Sequence, residues 1–169
     1  MNSSSRILLV LISTLALQIE IRGQCDPNFP RPLSPRPANY EIDVRLNDPE
    51  KTVDATQVIR FQNQSPVPIR ELRIYMYLNS FKNTESTFLK GTTSIFGQGF
   101  DNRKPDEWGW IDIEKIERES PGGNPADLTS AMHYVQPNDG NTADQSVLEV
   151  LLDKPIQPGE TAVFNLRWR

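Results

Sequence analysis

Apolar and polar side chains alternate with a period of two along much of this chain, and that period sets the elements to expect. Tyr40, Ile42, Val44 and Leu46 point one way while Glu41, Asp43 and Arg45 point the other, the pattern of a half-buried strand. Residues 47–50 (NDPE) then supply turn chemistry, since Asn and Asp bond their own backbone and Pro presets φ. A second strand follows with Val53, Ala55, Ile59 and Phe61 on one face, and residues 63–68 (NQSPVP) end it. Leu72, Ile74, Met76 and Leu78 alternate again, with Tyr75 and Tyr77 on the opposite face. The pattern predicts a fourth strand over 110–116 and a short extended segment over 132–135. Two closing strands over 147–153 and 161–168 are joined through a tight turn at Pro158-Gly159. The last of these places Ala162, Phe164, Leu166 and Trp168 on one face.

The stretch from 79 to 110 lacks a period. Phe81, Phe88, Leu89, Phe96 and Phe100 fall in no register, which predicts long loops with short extended pieces. Residues 120–125 (SPGGNP) and 136–144 (QPNDGNTAD) also read as loops, and no helical period of ten or more residues appears after residue 24. Short alternating strands separated by turn signals predict an all-β fold, an antiparallel β-sandwich over residues 40–169.

The N-terminus follows different rules. Residues 7–17 (ILLVLISTLAL) hold nine apolar positions in eleven, Arg6 is the one charge before them, and Gly23 follows. A positive start, an apolar run and a small residue make a secretory signal over 1–23, cut after Gly23. As a helix the run rises only about 16 Å, too short for a stable membrane span. Gln24 before Cys25 argues against a lipid anchor. The expected location is therefore outside the cytoplasm, periplasmic or extracellular, and removal of Arg6, Glu20 and Arg22 leaves the chain one unit more acidic. Residues 24–39 form a Pro-rich extended lead-in, with five prolines between 26 and 37 that lack an N–H and fix φ.

Composition narrows the chemistry. The 169 residues carry 18 Lys and Arg, 22 Asp and Glu, one His and one Cys. One Cys makes no internal disulfide, one His makes no H-E-x-x-H zinc helix, and a Ser-His-Asp triad would have to run through His133 alone. A net charge of −4 without a basic block excludes a phosphate-tracking surface, so nucleic acid is not an expected partner. What remains is a short set of candidates. Trp108 and Trp110, beside Asp106 and Glu107, could form a platform for a pyranose ring, or could be rim and core of the sheet. Asp139, Asn141 and Asp144 could hold calcium, although the spacing fits no EF-hand and turn chemistry explains it more simply. Asn63-Gln64-Ser65 is a formal glycosylation sequon followed by Pro66.

One resemblance organises these parts. Residues 38–46 (ANYEIDVRL), 53–65 (VDATQVIRFQNQS) and 72–81 (LRIYMYLNSF) resemble the opening strands of the N-terminal β domain of aminopeptidase-N-like zinc metallopeptidases, exported bacterial members above all. Residues 147–152 (VLEVLL) and 158–161 (PGET) resemble that domain's later hairpin. The resemblance spans about residues 38–168 and implies a saddle-like β-sandwich that packs on a catalytic domain and walls the peptide cleft. It also implies zinc in a catalytic domain that this chain lacks, since neither H-E-x-x-H nor a G-x-M-E-N-like stretch is present. No catalytic, cofactor-binding or metal-ligating residue carries over to any position. Ending on Leu166-Arg167-Trp168-Arg169, an amphipathic strand, the chain reads as a domain cut before its completion. The expectation is a non-catalytic N-terminal domain whose partners are the catalytic domain of the same polypeptide and, in the parent, a peptide substrate. The alternative is a free-standing secreted β-sandwich that binds protein or glycan through Tyr75, Tyr77, Trp108 and Trp110.

Overall fold

The computed structural model describes residues 35–96 and 102–169; the predicted signal, Cys25 and the lead-in up to residue 34 lie outside the described residues. Eight strands follow in order: β1 (Ala38–Asn47), β2 (Thr52–Gln62), β3 (Ile69–Tyr75), β4 (Ile113–Arg118), β5 (Ala126–Asp127), β6 (Met132–Tyr134), β7 (Val147–Ile156) and β8 (Thr161–Trp168). They make a five-stranded sheet, β1-β2-β8-β4-β5, and a three-stranded sheet, β3-β7-β6, with every pairing antiparallel. The all-β sandwich expected from the alternation is the fold observed.

Register shows why. Val44 pairs with Ala55 and Ala55 with Trp168, while Ile59 pairs with Phe164 and Phe164 with Arg118. One face of the larger sheet thus collects the apolar positions of β1, β2, β8 and β4. On the smaller sheet Leu72 and Met132 both pair with Val150, which builds the facing apolar surface. Ile116, Val150, Ile156 and Phe164 meet between the sheets with no exposed area, and Leu128, Ala162 and Leu166 complete the cluster. Interdigitation of two such faces is what stabilises a sandwich.

Buried polar groups stitch its loops. Arg118 is 2% exposed, and its guanidinium donates to Asp153 Oδ1, Glu160 Oε1 and the Lys154 carbonyl, which ties β4 to the β7–β8 turn. Asn63 is fully buried; its Nδ2 donates to the Val67 and Ile156 carbonyls and its Oδ1 accepts from Ser65. The sequon is thereby excluded as a glycosylation site of the folded domain, because a glycan on Nδ2 would displace both bonds from a site without room. Asn79 plays a similar part, donating to the carbonyls of Ile111 and Gln145 and accepting from the Ile111 N–H.

Three expectations need correction. The third strand ends at Tyr75, not Leu78: Met76 turns inward and donates to Ser146, and residues Tyr77–Phe81 wind into a 3-10 turn that leaves Leu78 half-exposed. The fourth strand runs over Ile113–Arg118 rather than 110–116, with a bulge between Ile113 and Lys115, and Trp110 lies outside it. The largest change is an α-helix, α1 (Thr87–Phe96), where loops were predicted. With a glycine and three threonines, TFLKGTTSIF is a poor helix former by itself. Its start is held from outside: Thr87 N donates to Asp144 Oδ2, Thr87 Oγ1 to Asp139 Oδ2, and Leu89 N to the buried Ser86 Oγ.

Candidate interaction surface

Sheet order decides where the molecule is open. The core face of the larger sheet continues from β8 across β2 to the edge strand β1, but the smaller sheet covers only the middle. Tyr40, Ile42, Val44 and Leu46 therefore carry the apolar pattern of core residues yet are 59, 50, 59 and 69% exposed. Fully burying one such side chain contributes about 1.5–3 kcal/mol, so roughly half of that is unrealised at each position. A row of four exposed apolar side chains on one strand is a contiguous patch rather than scattered surface.

Besides a third groove, about 440 Å³, against Asp43, Val44 and Arg45 of β1, Trp168 at the end of β8 lines two grooves beside this row. One, about 420 Å³, runs between the edges of the two sheets and is lined by Tyr40, Ile59, Ile74, Tyr75, Tyr77 and Trp168. The other, about 460 Å³, is lined by Val53, Leu78, Asp106, Trp108, Trp110 and Trp168. Trp168 Nε1 donates to Gln57 Oε1, which explains the one polar residue in the apolar alternation of β2. Tyr75 and Tyr77 stack at 5.6 Å between ring centres and 15° between planes, and both are largely exposed. The two candidate indoles differ. Trp110 is 40% exposed, whereas Trp108 is half-buried with the Arg103 guanidinium 5.7 Å above its ring. Trp110 does not pack inward as the start of a strand, and it is the indole of the pair more available to a ligand.

The opposite face of the larger sheet is charged and self-paired. Arg60 bonds Glu41, Arg167 bonds Glu114 and Arg169 bonds Asp54 across neighbouring strands. The Arg169 hydrogen bond is the largest influence on Asp54, whose carboxyl lies below the usual carboxylate range. Cross-strand pairs of this kind are screened by water and make a solvated face.

The remaining candidates have structural partners. His133 Nε2 sits 3.1 Å from Glu149 Oε1, and Arg73 Nε donates to Glu149 Oε2. Arg73, Glu149 and His133 are register neighbours, a polar row across the outer face of the smaller sheet. Asp139 and Asp144 hold the start of α1, and Asn141 Nδ2 donates to the Glu85 carbonyl beside them. Burial raises the Asp144 carboxyl, but hydrogen bonds from Ser146 and Thr87 outweigh it and leave the group below its ordinary value. The carboxylates of Asp139 and Asp144 are thus engaged at the start of a helix that the sequence did not reveal, while Asn141 Oδ1 accepts from the Ala143 N–H within its own turn. Among the described residues no three His, Cys, Asp or Glu side chains converge on a metal-sized site, and no helix is long and apolar enough to cross a membrane. Comparison with protein-family models, with curated proteins and with solved structures finds nothing that matches the chain.

Proposed function

We propose that this chain is the non-catalytic N-terminal domain of an exported zinc metallo-aminopeptidase, packing on the catalytic domain of the same polypeptide and walling its peptide cleft. The observation that carries this reading is the uncovered continuation of the core face on β1, flanked by the two grooves at Trp168. A face patterned like core but left open suits a domain that another covers. The strand motifs that resemble this peptidase family supply the identity of the covering domain, and an all-β sandwich suits the resemblance. Zinc, held by the catalytic domain, would polarise the scissile carbonyl and activate water there; this chain contributes shape and apolar surface only.

The test is the reading frame beyond codon 169. The expected result is several hundred further codons containing H-E-x-x-H and a later Glu; a stop codon directly after Arg169 overturns the reading. The 169-residue chain alone should hydrolyse no amino-acid anilide above a vector control. A second reading, a secreted module for glycan or protein, draws on the exposed Tyr75–Tyr77 stack and on Trp110 beside Asp106. Saturable glycan binding abolished by Trp110→Ala would favour it, and silence across a broad glycan array would remove it.

A further inference from the structure

An open sheet edge presents a row of unpaired N–H and C=O groups, and folded proteins blunt such edges by shortness, bulges, prolines or charges aimed inward. The two sheets have four edges. Strand β5 has two residues and β6 has three, while β3 carries a bulge between Ile69 and Glu71 and follows Pro66 and Pro68. The fourth edge, β1, has none of these devices. It runs ten residues without a proline or a break in register, and among the described residues nothing pairs with its outer side.

The bond from Gln62 N to the Pro37 carbonyl fixes which groups are free. Hydrogen-bonded pairs alternate along an antiparallel ladder. Asn39, Glu41, Asp43 and Arg45 therefore turn their backbone groups toward β2, and Tyr40, Ile42, Val44 and Leu46 turn theirs outward. The strand that completes this edge must carry donors at alternate positions.

We infer that the edge is completed by the β1 strand of a second copy of this chain, antiparallel about a two-fold axis at Val44. Charge selects that register. With Val44 opposite itself, the outward groups of Ile42 and Leu46 meet, and Asp43 lies opposite Arg45 of the other copy twice over. Centring on Ile42 sets Glu41 against Asp43, centring on Arg45 sets it against itself, and centring on Asp43 sets Asp43 against itself and offers Arg45 only Glu41, which Arg60 already engages. Asp43 and Arg45 are both exposed on the polar face of β1, and among the described residues neither forms a direct ion pair, Arg45 acting only through space on Asp54, its register partner on β2. The pairing yields a closed, symmetric dimer with a continuous ten-stranded sheet, in which the two apolar stripes lie side by side. It uses the strand's edge, so it neither requires nor excludes a domain covering the strand's face.

The test is sedimentation equilibrium of the full chain up to about 0.1 mM, a range that captures a small interface. A reversible dimer is expected, with a dissociation constant that rises severalfold between low and high salt because the Asp43–Arg45 pairs are exposed. Asp43→Arg and Arg45→Asp, each placing two like-charge pairs across the axis, should each weaken it about tenfold or more while the β spectrum by circular dichroism is kept. An equimolar mixture of the two single variants should dimerise again, since in the mixed dimer an Arg faces an Asp in both pairs, once with the native signs and once with the signs exchanged. A monomer at every concentration overturns the inference, as does an open-ended series of oligomers. So does a dimer indifferent to salt and to both substitutions, which would include association through the apolar run of residues 7–17. If one variant fails to fold, the salt response of the unmodified dimer and the other variant still decide.

Discussion

Strands β1 and β8 lie two positions apart in one sheet, alternate in the same way and turn their apolar side chains to the same face. Their fates are opposite. In β8, Ala162, Phe164 and Leu166 are at most 5% exposed; in β1, Tyr40, Ile42, Val44 and Leu46 are 50–69% exposed. The difference lies in what stands opposite. Strand β7 of the smaller sheet brings Val150 and Ile156 over β8, and with three strands that sheet does not extend over β1. Alternation therefore specifies a face that requires cover, and topology decides whether the domain covers it with its own residues.

This contrast predicts a graded response. The largest effect belongs to Phe164→Ala, which empties a fully buried site and should destabilise the fold by about 3–5 kcal/mol in denaturant titrations. A loss under about 1 kcal/mol would mean that the two sheets do not pack as described. An intermediate effect belongs to α1, which depends on Asp144. Because the folded-state carboxyl lies below its ordinary value, the folded state binds fewer protons than the unfolded chain just below that value. The stabilisation is complete above the ordinary carboxylate range and is lost as pH falls through the depressed folded value. Asp144→Asn should lower stability at neutral pH by about 1 kcal/mol and flatten the loss below about pH 4. Thermal melts across that range check it, and an unchanged acid slope would remove Asp144 as a determinant. The smallest effect belongs to Leu46→Thr, expected within about 0.5 kcal/mol because the side chain is 69% exposed. A loss near that of Phe164→Ala would show that β1 is covered after all.

Much of the strand plan was legible because a period of two needs only local information. β8 matches its expected span, β1 and β2 lie within two residues of theirs, and β7 runs three residues further than expected. The expectations that failed concern segments whose conformation is imposed from a distance. Residues 87–96 have weak helix propensity, and the groups that start α1 come from a loop more than fifty positions later. Tyr77 and Leu78 extend the alternation of β3, but Met76 is drawn to Ser146 and breaks it. Arg118 ends an amphipathic strand like any surface cation, yet its partners lie 35 to 42 positions away and bury it. Of the interaction surface, the aromatic residues were visible in the sequence. Their grouping around Trp168 was not, since β1, β3 and β8 are brought together only by the stacking of two sheets.

By itself the sequence determined which positions are apolar, where turns break the chain, and that neither an H-E-x-x-H zinc helix nor an internal disulfide can be built from one His and one Cys. Those properties follow from local stereochemistry and composition. Tertiary structure alone decided that one apolar stripe became core and its twin stayed open, that loop carboxylates cap a helix, and that the sequon asparagine is sealed inside. Each of these depends on which distant backbone group or side chain occupies the space opposite, and the sheet order sets that.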